Sequence, residues 1–310
     1  MFVCLKNIFA SESFDDIILR EYAALEPPLQ DIYRYVAAME NSGVKVHRQL
    51  LIRLLRIPAS TIAAALNNLT DIISEYTVDE KEGIYAWRAR HGVIARIVTR
   101  YKFSDTDKII ELFERVISNL RPTYDIEVRT IRELCNIDTG IPQIPSREVQ
   151  NRLLRMMMSV APGERVPRHR LIRNLIEAGD SEKAETEIRV FERDFGVDGP
   201  VYRYKVNLLV TRAVHAPGLM TEDRVRILED GRKLALIGIA RFPHNKALLA
   251  AYADLGVEHY RRTGDFAYFD EAMNYLREAE EQLGDPDVSR IIARYTRRIQ
   301  GQPYEPIEVE

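Results

Sequence analysis

Cysteine is scarce. Cys4 and Cys135 are the only two in 310 residues, and they stand too far apart for a metal knuckle or a redox pair. Each has apolar neighbours, Val3 and Leu5 beside one, Leu134 and Ile137 beside the other, as reduced core cysteines of a cytoplasmic protein do. Long apolar runs are missing too. Stretches such as Leu234 to Ala240 fall far short of the roughly 20 residues that cross a hydrocarbon layer, so no membrane span is expected. The opening residues carry one Lys and reach Ser11, Glu12, Asp15 and Asp16 before any adequate apolar stretch, so no secretory signal is expected. Nor is there an excess of either charge. Forty-four Lys plus Arg against 47 Asp plus Glu leave a formal net charge of -3, which gives no global attraction to nucleic acid or anionic lipid.

The familiar catalytic and phosphate-binding patterns are also missing. No GxxxxGK precedes a Ser or Thr and no GxGxxG occurs, so no run of unsubstituted backbone stands ready to wrap a phosphate. HExxH and GxSxG are absent, and His47, His91, His169, His215, His244 and His259 include no pair at three- or four-residue spacing. Asp15-Asp16 and Asp79-Glu80 are adjacent carboxylates that point in different directions and read as solvated surface. An enzyme acting alone is the class with least support.

What the sequence does have is hydrophobic periodicity, and 46% hydrophobic residues suffice to bury a core. Residues 1–103 read as a helical lead-in and a winged helix domain. Phe14, Ile17, Ile18, Tyr22 and Leu25 predict a helix over about 13–25, stopped by Pro27 and Pro28. Those prolines pre-set a second helix with Leu29, Ile32, Tyr33, Val36 and Ala37 on one face, ended by Asn41, Ser42 and Gly43. A third covers about 47–55. A fourth opens at Pro58, Ala59 and Ser60, with Ile62, Ala63, Leu66 and Leu69 expected inward. The period then changes, and β-prone segments on either side of an acidic turn at 79–83 predict a hairpin over about 72–87, the only β-structure expected. A helix over about 91–101 follows.

Residues 104–299 read as short amphipathic helices with Gly and Pro at the joints, beginning with a capping box of Ser104 and Asp107. Helices are predicted over 168–178, 181–195, 201–214, 222–240, 245–262, 267–283 and 287–299, and 300–310 as a flexible tail. Two hairpins share a spacing. Leu171, Leu175, Gly179-Asp180, Ala184, Ile188 and Phe191 recur as Ala253, Tyr260, Gly264-Asp265, Ala272, Leu276 and Ala279. This spacing resembles tetratricopeptide (TPR) repeats, with about three extra residues in the second and no Trp at either start. The fold class expected is therefore mostly α: a winged helix domain followed by a TPR-like α-helical repeat array, with a compact non-repetitive bundle as the alternative.

Three places bear on ligands. The helix at about 60–70 would be the nucleic-acid reader, yet it holds no Lys or Arg; Arg53 and Arg56 stand nearby and the wing tip is acidic. Between Arg147 and Arg173 seven Arg face two Glu, among them Arg165, Arg168, Arg170 and Arg173, as either solubilising stems or a surface for nucleic acid or an acidic partner. Trp87 to Ala95 sets Arg88, Arg90 and His91 where the wing hands over to the next helix; His91 is either a plain cap or a contact for an anion.

Residues 14–103 resemble the stretch that follows the nucleotide-binding core in STAND-class P-loop NTPases. Phe14 to Tyr22 and Pro27 to Ala37 are similar to its entry, and Ala89 to Ala95 to its wing-exit motif, usually Met-His-Asp before apolar residues. Here Arg90 replaces the Met and Gly92 the Asp. The resemblance implies that His91 contacts the β-phosphate of a nucleotide held elsewhere, with ATP or ADP bound in a larger assembly and no cofactor in this chain. It also implies that the helical repeats are a sensor, and that an NTPase core or effector subunit, which this sequence lacks, is a partner. The function expected is a non-catalytic regulatory or sensor module in STAND-type signalling or antiviral defence, binding a protein through its repeats. The alternative is a winged-helix nucleic-acid-binding regulator with a helical dimerisation or effector domain.

Overall fold

The computed structural model describes residues 13–301. It is mostly α-helical, with one small open sheet of three strands and extensive helix–helix packing. Two compact units divide at Pro167 and Arg168.

The first unit begins with α1 (Phe14–Ala23), whose Ser13 cap accepts from the Asp16 N–H at 3.2 Å. Pro27 and Pro28 open α2 (Pro27–Asn41), and Gly43 turns the chain at φ +77° into β1 (Val46–His47). Then come α3 (Arg48–Leu55), α4 (Ile62–Asn68), β2 (Ile73–Asp79), β3 (Ile84–Ala89) and α5 (Gly92–Lys102). The expected hairpin is there, antiparallel from Ile73 opposite Ala89 to Asp79 opposite Ile84. It is not the only β-structure. Val46 and His47 pair with Trp87 and Ala86 on the other edge of β3, giving the order β1-β3-β2. Two residues are too few for an alternation pattern; the strand exists because the long-range partner is there. Trp87 is 1% exposed, and its indole donates to Glu75 at 2.7 Å, so the unit's largest side chain is buried with its polar atom satisfied.

On α4 the inward residues are Ala65 and, just past its end, Leu69; Ala63 faces solvent, contrary to expectation. A short 3-10 turn (Ala59–Thr61) precedes this helix and shifts its phase.

The same unit continues through α6 (Thr106–Asn119), α7 (Asp125–Leu134) and α8 (Arg147–Val160). Asp105, not Ser104, caps α6, accepting from the Asp107 N–H at 3.0 Å. The helix starts at Thr106, one residue later than a Ser104 to Asp107 box requires, so the Asp105 carboxylate takes the capping position. α6 packs on α3 and on α8. Cys135 is buried with its sulfur 3.8 Å from Met157, as read; Cys4 lies outside the described residues.

From α9 (Val166–Glu177) the chain runs through α10 (Ser181–Phe195), α11 (Gly199–His215), α12 (Thr221–Arg241), α13 (Lys246–Thr263), α14 (Ala267–Leu283) and α15 (Pro286–Gln300). Each predicted helix is found within about two residues. The tail expected at 300–310 lies, beyond Gly301, outside the described residues. In the second unit successive helices pack as antiparallel neighbours, α11 on α12 and α13 on α14. Alternate helices pack as well, α11 on α13 and α13 on α15. Gly179 and Gly264 end α9 and α13 at φ +75° and +73°, as the shared spacing requires, and Ala184, Ile188 and Phe191 are buried like Ala272, Leu276 and Ala279. Gly256 marks the closest approach of α13 and α14: a Cβ there would lie 2.6 Å from the Phe269 Cα.

Candidate functional site

In the second unit every second helix contributes to one groove of about 410 Å³. The end of α9 supplies Ile176 and Glu177, α11 supplies Asn207, Val210, Thr211 and Val214, α13 supplies Asp254 and Glu258, and α15 supplies Arg298. The intervening helices α10, α12 and α14 contribute nothing to its lining. The α11 residues repeat at three- and four-residue steps, which puts them on one face of that helix. They are half-buried and mix polar with apolar side chains.

The floor of the groove is charged. Glu258 is nearly enclosed, its side chain 7% exposed, and accepts from Arg261 and Arg262 at 2.8 Å each. Arg262 also donates to the Glu258 carbonyl at 2.8 Å and to the Ala213 carbonyl at 3.4 Å, so a guanidinium meets the last turn of α11, where the helix dipole is negative. Arg224 reinforces that end by donating to the Ala213, Val214 and Ala216 carbonyls. Arg298 spans the two acids of α13, bonded to Asp254 and 3.8 Å from Glu258.

The residues singled out in the sequence do not converge on this groove. Arg53 is a fold residue. Its Nη2 lies 2.7 and 2.6 Å from the two carboxylate oxygens of Glu127, and it also donates to the Asn119 carbonyl at 3.0 Å. Glu127 is fully buried and accepts as well from the Arg121 backbone N–H at 2.6 Å, with His47 Nδ1 at 3.1 Å. Burial pushes this carboxyl up, but the hydrogen bonds from His47, Arg53 and the Arg121 N–H outweigh it and hold the pKa below the ordinary carboxylate value. Arg56, by contrast, is exposed in the left-handed conformation at φ 54°, where α3 ends. It lines a second groove, of about 540 Å³, with Pro28, Ile32, Ile57 and Ala64.

Around the wing exit, Arg88 donates to Ser74 at 3.3 Å and lies over the Tyr76 ring. Arg90 bonds Glu21 at 2.7 Å and the Asp71 carbonyl at 3.1 Å. His91 is exposed and caps α5, its Nδ1 accepting from the Val93 N–H at 3.1 Å. That bond fixes the tautomer, because an accepting Nδ1 leaves the neutral ring's proton on Nε2. The Glu40 carboxylate, which accepts from the Ala89 N–H at 2.7 Å, interacts with His91 and Arg88.

The arginine-rich stretch straddles the boundary between the units. Arg165 is exposed, just before α9. On α9, Arg168 pairs with Asp194 at 2.8 Å, Arg170 is half-buried, and Arg173 pairs with Glu177 at 2.6 Å. Arg168 and Arg173 are thus matched by carboxylates.

Sequence reasoning missed the groove. Asn207, Thr211, Asp254 and Arg298 carry no motif, and only the hydropathy-neutral stripe on α11 could have marked it. Among the described residues no group of three or more His, Cys, Asp or Glu could hold a metal ion, and no helix is long and apolar enough to cross a membrane. No family model, curated protein or solved structure matches the chain.

Proposed function

We propose that this chain is a regulatory module that recognises a protein partner through its second unit, a TPR-like sensor array of the kind that follows a winged helix in STAND ATPases. The observation that carries the reading is the groove built from α9, α11, α13 and α15 alone. A stack of two-helix repeats presents one helix of each pair to one face, and a continuous surface of alternate helices is what such a stack offers a partner. For the first unit, the support is the order α2-β1-α3-α4-β2-β3 with strands arranged β1-β3-β2, the order of a winged helix.

Protein is favoured over nucleic acid because Arg53, one of the two cations near the reader helix in sequence, is bound to a buried carboxylate. α4 itself carries no Lys or Arg, and the wing tip carries Asp79, Glu80 and Glu82 against Lys81. Within a larger assembly, His91 would be this chain's contribution to holding ADP, through its Nε2–H; Arg88 and Arg90 already have protein partners.

Site-specific photo-cross-linking in cells tests the module reading. A photoreactive phenylalanine analogue in place of Asn207 is expected to give a discrete protein adduct, and the same label at Ile237, 58% exposed on α12, is expected to give none. A nuclease-sensitive adduct, or equal adducts from both positions, would overturn it.

A further inference from the structure

The cap of α5 is made by a group that can lose the ability to make it. His91 is extended, at φ -158° and ψ 139°, and its Nδ1 accepts from the Val93 N–H at 3.1 Å. Ser, Thr, Asp and Asn, the ordinary residues at such a position, accept through an oxygen that stays an acceptor around neutral pH. An imidazole does not. Once protonated it carries an N–H on both nitrogens, and Nδ1 has no lone pair left for Val93. The charged ring would also stand against the positive end of the helix dipole. His91 is exposed, so a proton reaches it without any opening of the fold. α5 packs on α2, α1 and β3, and the charged groups of those elements decide where the protonated ring turns. From α2 comes Glu40, a half-buried carboxylate that interacts with His91 and accepts from the Ala89 N–H through one of its two oxygens. From β3 comes Arg88, held by Ser74 and the Tyr76 ring. From α1 come Glu21, committed to Arg90 at 2.7 Å, and Asp15, committed to Arg100 near the other end of α5. On α5 itself the nearest cation in sequence is Arg96, which is exposed. Glu40 is the acid left to receive a charged His91.

We propose that His91 is a pH-operated latch on the joint between the hairpin and α5. Neutral, it caps the helix; protonated, it leaves Val93 for the Glu40 carboxylate, and the first turn of α5 loosens. The device belongs to the chain by itself and holds whether or not His91 also meets a nucleotide. The sign follows from the acceptor: the cap is present while the ring is neutral and is lost as pH falls. The amides that report it are few. The Val93 N–H loses its acceptor, and the Ile94 and Ala95 N–H groups, bonded to the His91 carbonyl at 2.9 and 3.1 Å, belong to the turn that frays. Loosening stays local because Ile97, Val98 and Thr99 keep the middle of the helix buried. The turn that moves joins α5 to the end of β3, where Ala89 is tied to Glu40, so acid acts on the place where the hairpin meets the helix.

The test is amide hydrogen exchange of the full chain by NMR, wild type against His91→Asn at each pH from 8 down to 5. Asparagine caps without titrating. Comparing the two proteins at one pH cancels the intrinsic pH dependence of exchange and the contribution of the other histidines. At pH 8 both are expected to protect Val93, Ile94 and Ala95 alike. At pH 5 the wild type is expected to exchange these three about fivefold faster, the scale of one lost cap, while the amides of α6 stay equal in both. Glu40→Gln is expected to move the wild-type response to lower pH, because the imidazolium loses its carboxylate. The wild type alone gives a second reading that needs no variant. As the His91 ring nitrogens take up the proton, the Val93 amide proton is expected to shift upfield in step. A Val93 signal that stays put while His91 protonates would overturn the latch. So would equal exchange in wild type and His91→Asn at every pH, or an acid response unmoved by Glu40→Gln.

Discussion

Arg53 reaches Glu127 across 74 residues of sequence and places its Nη2 within 2.7 Å of both carboxylate oxygens, one side chain 18% exposed and the other fully enclosed. The pair joins α3 to α7, and His47 on β1 joins the same carboxylate. A charge buried this way is matched only while each partner is present. Glu127→Gln or Arg53→Ala should therefore each destabilise the chain by about 3–5 kcal/mol, read as a fall in the urea midpoint. Arg53→Met combined with Glu127→Leu should cost less than either single change, because no uncompensated charge remains. A double variant as unstable as the sum of the singles would show that the pair is not coupled.

Glu127, buried, and Glu40, half-buried, give opposite acid responses. Glu127 has a lowered pKa in the fold, so its contribution is complete above the reference value of 4.5 and is lost as pH falls through the folded value. Glu40 has a raised pKa, because burial outweighs the Ala89 N–H, Arg88 and His91. Its contribution is complete below 4.5 and is lost as pH rises through the folded value. Urea titrations from neutral pH down through the carboxylate range should show Glu127→Gln closing its stability gap to the wild type on acidification, and the wild type gaining on Glu40→Gln. Parallel curves for both variants would contradict the assignments.

These two acids show where the sequence was legible. Helix ends marked by Pro27, Gly43 and Gly264 came out because prolines and left-handed glycines act over one turn. The hairpin came out because alternation on both sides of Gly83 is local too. Glu127 did not: it sits among exposed-looking charges at Asp125, Arg129 and Arg132, and only α3 folding onto it makes it a core residue. Asp254 and Arg298 were equally silent, since their meeting depends on how α15 returns to α13. Ala63 and Ala65 could not be told apart by hydropathy, and the phase set by the 3-10 turn decided between them.

Gly256→Ala tests the packing of α13 on α14. The added methyl would stand 2.6 Å from the Phe269 Cα and 2.7 Å from its nitrogen, both backbone atoms that no rotamer change can move. Prying the helices apart should cost about 1–3 kcal/mol, read as a lower thermal midpoint. Gly179→Ala is the comparison: it meets nothing within 4 Å, so its cost is that of an L-residue at φ +75°, about 1–2 kcal/mol. Unchanged stability in Gly256→Ala would mean that the helices are not in that contact.

Arg56 and Arg88 separate the protein-binding reading from the nucleic-acid alternative. Both are exposed in the first unit, and neither has a carboxylate among its hydrogen-bond partners given above. In a mobility-shift titration with duplex DNA at 50 and 200 mM salt, the wild type should show no tight, salt-sensitive complex, and Arg56→Ala with Arg88→Ala should change nothing. A complex that weakens by about a thousandfold or more between those salts, and is lost in the double variant, would favour the nucleic-acid regulator. Arg53→Ala is unsuited to this comparison, because it removes a fold contact.

His91 has two separable roles, and asparagine separates them. As the cap of α5 its Nδ1 accepts from the Val93 N–H, and Asn is among the best residues at that position. His91→Asn should therefore keep the wild-type urea midpoint, whereas His91→Ala should lose about 1 kcal/mol. If the Nε2–H also bonds the β-phosphate of ADP in a complete STAND-type assembly, both variants lose that donor. A charge-assisted bond of about 1.5–3 kcal/mol would speed ADP release roughly 10- to 150-fold. The isolated chain should bind neither ATP nor ADP by calorimetry, since it has no glycine-rich loop to cradle phosphates. Micromolar binding to the isolated chain would refute that statement. A His91→Asn assembly that keeps both its midpoint and its ADP release rate would leave His91 as a helix cap and nothing more.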